Sequence, residues 1–103
     1  DCCDEEMNSK YSHGTPFRRA IEEGVLDPKR TIQIGIRGAA NSEECWEFGP
    51  KHGIRIIYIE EFSALGVEKV IHEARKIVGD KRTYLSFDID GIDPAFAPGT
   101  GTP

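Results

Sequence analysis

Hydrophobic and polar positions along this chain follow two rhythms, and the switches between them predict its elements. In TIQIGIR, residues 31–37, Ile32, Ile34 and Ile36 fall on every second position, the spacing of one face of a strand. The run IRIIYIE, residues 54–60, is β-branched and aromatic throughout and reads as a second strand. From Ser63 the period lengthens: Val67, Val70, Ile71, Ala74, Ile77 and Val78 recur at three and four residues, with Glu68, Lys69, Glu73, Arg75 and Lys76 between them. That spacing predicts an amphipathic helix, ended by Gly79. TYLSFDID, residues 83–90, returns to strand character and runs into a loop rich in Gly, Pro and Thr.

Punctuation residues predict two further helices. Thr15 is placed to cap a helix whose first residue is Pro16, and Gly24 offers its stop, so residues 16–23 read as helix. Asn41 or Ser42 would cap a second, Glu43 and Glu44 suit its first turn, and Gly49-Pro50 would end it. The order α-β-α-β-α-β with short connections predicts an α/β fold: a mainly parallel sheet between helix layers, the three-layer αβα arrangement. In such sheets functional groups gather at the carboxyl ends of the strands. No repeat or linker divides the chain, and PGTGTP follows directly on its most motif-dense stretch. Residues 1–103 are therefore expected to be an internal part of one larger α/β domain.

Composition narrows the function classes. Thirteen Lys and Arg against 18 Asp and Glu give a formal charge of −5, which provides no basic stripe for a nucleic-acid backbone. No apolar run approaches the roughly 20 residues that span a bilayer, so no membrane partner is expected. Three cysteines, with Cys2 and Cys3 adjacent, make neither a disulfide framework nor a CxxC zinc pattern, and the adjacent pair is expected to be structural or incidental. Neither GxGxxG nor GxxxxGK[ST] is present, which argues against nucleotide binding. His52 and His72 are expected in solvent, as are Arg18 and Arg19, paired with Glu22 and Glu23 on a helix face.

Candidate chemistry centres on Asp88 and Asp90. Two apart at a strand end, their carboxylates would point to one face and crowd one site. Unpaired, they would raise each other's pKa; a divalent cation or a basic neighbour relieves this. Asp93-Pro94 and the PGTGTP run follow, a loop that would scaffold the strand end.

Two family resemblances attach to these residues. FDIDG resembles the first motif of haloacid dehalogenase-type magnesium phosphatases, although Ile92 stands where that motif carries Thr. The pattern S-x-D-x-D-x-x-D-P-x-x-x-P-G-T-G-T-P, formed by Ser86, Asp88, Asp90, Asp93, Pro94 and residues 98–103, resembles the arginase/agmatinase family of ureohydrolases over a longer span. HGTPFRR, residues 13–19, resembles that family's His-Gly segment in its agmatinase and guanidinobutyrase branch, and QIGIRG, residues 33–38, resembles the strand that follows. Counting back from His13, Asp1 falls on the last Asp of the family's H-x-D-A-H-x-D run.

The second resemblance implies a site with two Mn²⁺ ions. Asp1, Asp88 and Asp90 are its expected metal ligands, with Asp88 bridging, and His13 is the expected catalytic or substrate-binding residue. Hard carboxylate oxygens suit manganese, and paired ions generate hydroxide near neutral pH. The implied reaction is hydrolysis of agmatine, 4-guanidinobutyrate or a similar guanidino compound to urea and an amine. The remaining metal ligands would lie upstream and a substrate-binding glutamate downstream, so these 103 residues alone are expected to be inactive. A homo-oligomer and a cytoplasmic or mitochondrial location are likewise expected, and a non-catalytic relative is the third reading.

Overall fold

The computed structural model describes residues 2–37 and 43–101. The alternating isoleucines form strand β1, Ile32–Ile36, and the second apolar run forms β2, Arg55–Tyr58. The two pair in parallel, with Ile32 beside Arg55, Ile34 beside Ile57 and Ile36 beside Tyr58. Residues 33–36 skip one pairing at Gly35, whose φ of +83° only glycine adopts without strain. Parallel strands need a crossover, and helix α2, Glu43–His52, supplies it.

Helix α1, Pro16–Glu22, begins at the proline as its sequence predicts, and Gly24 follows its end at φ +73°. Its predicted cap is not made: the Thr15 side chain turns back into the preceding loop. The residues predicted to cap α2, Asn41 and Ser42, lie outside the described residues, as does Gly38.

Gly49-Pro50 does not end α2, which runs on to His52. The proline falls in the last turn, and the end carbonyls find donors beyond it: Gly53 N–H to Pro50 O at 3.1 Å and Ile54 N–H to Gly49 O at 3.0 Å. Gly53, at φ +94°, makes the reversal. Gly49 instead permits close packing on β2, since a Cβ there would lie 3.1 Å from Ile56 Cδ1 and 3.6 Å from Ile54 Cβ.

The second apolar run is shorter as a strand than predicted. Ile59 and Glu60 open helix α3, Ile59–Leu65, where Glu60 and Glu61 suit the positive end of the helix dipole. Gly66, at φ +78°, separates α3 from α4, Val67–Val78, which Gly79 ends as predicted. Of the apolar face predicted for α4, Val70 is buried, while Val67 and Ile71 remain exposed.

No strand forms over residues 83–88. The periodicity is that of a strand, but a strand exists only through a ladder to a neighbour, and among the described residues none pairs with this segment. Tyr84, Leu85 and Phe87 are exposed along it. The chain then closes into a 3₁₀ turn, Ile89–Gly91.

Ile57, wholly buried, and Val70 anchor the side of the sheet that α4 covers. On the α2 side, Phe48, Ile54 and Cys2 pack with Phe17, Ile21 and Ile56. Arg55 joins the layers electrostatically: its guanidinium reaches Glu61 on α3, and its Nε donates to Glu73 on α4 at 2.6 Å. Arg30 donates to the Val78 carbonyl at 3.0 Å, capping the negative end of α4.

Ile57→Ala should lower the unfolding free energy of the protein by about 2–5 kcal/mol, read by urea denaturation. The Arg55 guanidinium holds the Glu61 carboxyl below its ordinary value of 4.5. The unfolded chain therefore takes up this proton more readily. The contribution of Glu61 is complete above about pH 4.5 and is lost as pH falls through the lower folded value. Glu61→Gln should lower stability at neutral pH and flatten its acid-side decline.

Candidate metal-binding and catalytic site

His13 sits in a loop, residues 2–15, that is built from polar contacts. Glu6 and Ser9 exchange both backbone hydrogen bonds at 3.0 Å, closing a two-residue turn. Its central residues, Met7 at φ +53° and Asn8 at φ +57°, are both left-handed, the geometry of a tight hairpin turn. Thr15 is wholly buried; its hydroxyl accepts from Ser12 N–H at 3.0 Å and donates to the Lys10 carbonyl at 2.9 Å. Gly14 is held twice, its carbonyl accepting from Cys3 N–H at 3.1 Å and its N–H donating to Glu6 Oε2 at 3.0 Å. The Ser12 hydroxyl donates to the same oxygen at 2.7 Å. His13 lies between these two residues with its side chain 75% exposed and Nε2 3.5 Å from Glu6 Oε1. The Ser12 hydroxyl, with help from the Gly14 N–H, holds the Glu6 carboxyl below the usual carboxylate range.

The loop is attached at two further points that the sequence did not reveal. Cys3 and Cys45 form a disulfide that ties the loop to α2, a correction to the expectation of no disulfide framework. Closing 42 residues of chain separation contributes roughly 4 kcal/mol on the chain-entropy account. Cys2 stays a free thiol, and burial pushes its pKa up. Arg18 and Arg19 are not on a solvated face, having side chains only 15% and 13% exposed. Arg18 pairs with Glu22 as predicted, reaches Glu44 on α2 and lies over the Phe48 ring; Arg19 donates to Asp4 at 2.5 Å. No periodicity reports these contacts, because they join positions 15 to 42 residues apart. His52 and His72 are exposed as predicted, with His52 Nδ1 2.8 Å from the Phe48 carbonyl oxygen.

The strand alternation expected to bring Asp88 and Asp90 to one face does not form. Asp88 has extended backbone, and the 3₁₀ turn begins at Ile89, so the two-residue period breaks between them. Asp88 Oδ1 instead accepts from Asp90 N–H at 3.4 Å, capping the turn. The turn is docked at the carboxyl end of β1: Arg37 Nε donates to the Asp90 carbonyl at 3.0 Å, and a Cβ on Gly35 would lie 3.8 Å from Gly91 O. That is the end of the sheet where α/β proteins place functional groups. Asp93 serves its own loop, Oδ1 accepting from Ala95 N–H at 2.8 Å.

As a donor set, Asp88 and Asp90 fit a hard divalent cation: both are carboxylates, and neither joins an ion pair among the described residues. Asp1, the third expected ligand, lies outside the described residues, and among those residues no three His, Cys, Asp or Glu side chains converge on one point.

Docked acidic turn, parallel strands and glycine-bearing His13 loop together define a class, the α/β proteins of arginase-like architecture. The match to the arginase family runs over residues 1–103, and the chain belongs to that family. This decides between the two resemblances in favour of the ureohydrolases. The chain is 62% identical over 96 residues to guanidinopropionase of Pseudomonas aeruginosa, covering 93% of this chain and 30% of that protein. It is 45% identical to the mitochondrial agmatinase of Gallus gallus, over 100% of this chain and 30% of the relative. The fold superposes on proclavaminate amidinohydrolase from Streptomyces clavuligerus with a TM-score of 0.90 at 43% identity, covering 99% of this chain and 34% of that one. The chain thus spans about a third of the length of these relatives, and its elements are an incomplete αβα arginase-like fold. Among the described residues no helix is long and apolar enough to cross a membrane.

Alkylation of the unfolded, unreduced protein should label Cys2 and spare Cys3 and Cys45, with all three labelled after reduction. Peptide mass mapping reads the difference.

Proposed function

We propose that the protein containing this chain is a manganese-dependent ureohydrolase that splits a guanidino compound into urea and an amine, and that these residues form an internal part of its single catalytic domain. The observation that carries the reading is the acidic turn docked at the carboxyl end of β1, in a chain matched over its whole length by one family.

A guanidinium carbon is a weak electrophile because its charge is spread over three nitrogens, and water near neutral pH is a weak nucleophile. When bound, a pair of Mn²⁺ ions would supply a water acidic enough to attack. Asp88 and Asp90 would hold them, joined by Asp1 and by donors from elsewhere in the protein. Asp88 is fixed for this by its bond to the turn, and Asp90 by the hold of Arg37 on its carbonyl. Asp93 shapes the loop that follows the turn, accepting from Ala95 N–H through its carboxylate and from Phe96 N–H through its carbonyl. His13 presents an exposed imidazole on a loop held by Glu6 and Thr15, suited to binding the substrate or to handing a proton to the departing amine.

Substrates of the guanidino-acid type are the first to try, given the identity to a guanidinopropionase, with agmatine beside them. The assay measures urea from 3-guanidinopropionate, 4-guanidinobutyrate and agmatine by the full-length protein, after chelation and after Mn²⁺ is restored. Urea release that depends on the metal is the expected result; none from any guanidino compound would leave a non-catalytic relative. Asp88→Asn and Asp90→Asn should each lower kcat more than about 100-fold, beyond the 10- to 100-fold typical of losing a partner outside the metal's own ligands. The 103 residues alone should release no urea. A homo-oligomeric assembly is part of this proposal, and sedimentation of the full-length protein tests it.

A further inference from the structure

Glu6 belongs to no motif, yet its carboxylate is the hub of the His13 loop. One oxygen, Oε2, accepts from the residues on both sides of the histidine, Ser12 through its hydroxyl at 2.7 Å and Gly14 through its N–H at 3.0 Å. The other, Oε1, lies 3.5 Å from His13 Nε2. The carboxylate is itself aimed from a fixed base, because Glu6 closes the Met7-Asn8 turn through two backbone hydrogen bonds to Ser9. The position after the histidine must be glycine for this to work: a Cβ on Gly14 would lie 2.6 Å from Glu6 Oε2 and 2.9 Å from Glu6 Cδ. Three separate features, the left-handed turn, the missing Cβ and the shared oxygen, converge on the placement of the Glu6 carboxylate and of the backbone on both sides of His13. Loop packing alone does not require the carboxylate edge that faces Nε2, since the buried Thr15 hydroxyl already ties Lys10 to Ser12.

We propose that Glu6 is a positioning residue for His13: it clamps the backbone before and after the histidine and presents a carboxylate oxygen to its Nε2, fixing where that nitrogen points. This rests on the ureohydrolase reading for the use made of His13, but the placement itself is independent of it.

The test uses full-length protein, holding Mn²⁺, in four forms: unaltered, Glu6→Gln, His13→Asn and the double variant. Glutamine keeps the size of the side chain and one acceptor oxygen for Ser12 and Gly14 while removing the carboxylate facing the imidazole, so the fold is retained. Glu6→Gln should lower kcat about tenfold, the lower end of the effect of an orienting partner, with KM changed less than about threefold. In the His13→Asn background the same change should have no further effect, because a residue acting through the histidine has nothing left to act on. Multiplying effects would overturn the proposal. In ¹⁵N-histidine-labelled protein stripped of the paramagnetic Mn²⁺ and without substrate, the His13 Nε2 resonance should move beyond its linewidth in Glu6→Gln while those of His52 and His72 stay. An unmoved His13 resonance would overturn the placement whatever the kinetics. Should the unaltered protein release no urea, the ureohydrolase reading fails, and the resonance still decides whether Glu6 sets the imidazole.

Discussion

Parallel pairing of β1 with β2 is the constraint from which the rest of the structure follows. Parallel neighbours cannot be joined by a tight turn, so the chain must leave the sheet, travel back along it and re-enter from the same end. α2 makes that return, and in doing so it brings Cys45 and Phe48 against the loop that carries His13, and Glu44 against Arg18 of α1. The same pairing aligns the carboxyl ends of both strands. Arg37, directly beyond β1, then reaches the turn that bears Asp88 and Asp90.

Two kinds of support hold the candidate functional groups. The acidic turn is held by backbone contacts, Asp88 to Asp90 N–H and Arg37 to the Asp90 carbonyl, which leaves the carboxylates unengaged by ion pairs among the described residues. The His13 loop is held by buried or half-buried polar side chains and by a covalent link, because it has no strand or helix of its own to stiffen it. Both arrangements fix a side chain by fixing its backbone first. A group held this way loses little freedom when it engages a ligand.

Much of this was legible in the sequence wherever the signal is local. The alternation of Ile32, Ile34 and Ile36, the Pro16 start, and the Gly24 and Gly79 stops report directly on backbone periodicity and left-handed geometry, and the structure follows them. Departures come where a distant partner decides. Gly49-Pro50 has the look of a helix stop, but the approach of Ile54 and Ile56 gives Gly49 another purpose and α2 continues. Ile59 has strand propensity, yet the two acidic residues behind it and the end of the pairing with β1 let a helix begin. The strand rhythm of residues 83–88 is real, but a ladder needs a second chain segment. For the site, spacing singled out Asp88 and Asp90, but the shared pleat face it implied is absent, and the link between them is a backbone cap. Glu6, Arg18, Arg19 and the Cys3–Cys45 link were invisible as supports, since each depends on contacts that only the folded chain creates.

The exposed run of Tyr84, Leu85 and Phe87 sets how this part of the protein behaves when it stands alone. It is extended, aromatic and branched, with its amides and carbonyls unclaimed by any neighbour among the described residues, which is the chemistry of a template for another copy of itself. Parted from the rest of the protein, residues 1–103 would carry this adhesive ribbon uncovered and should clump through it.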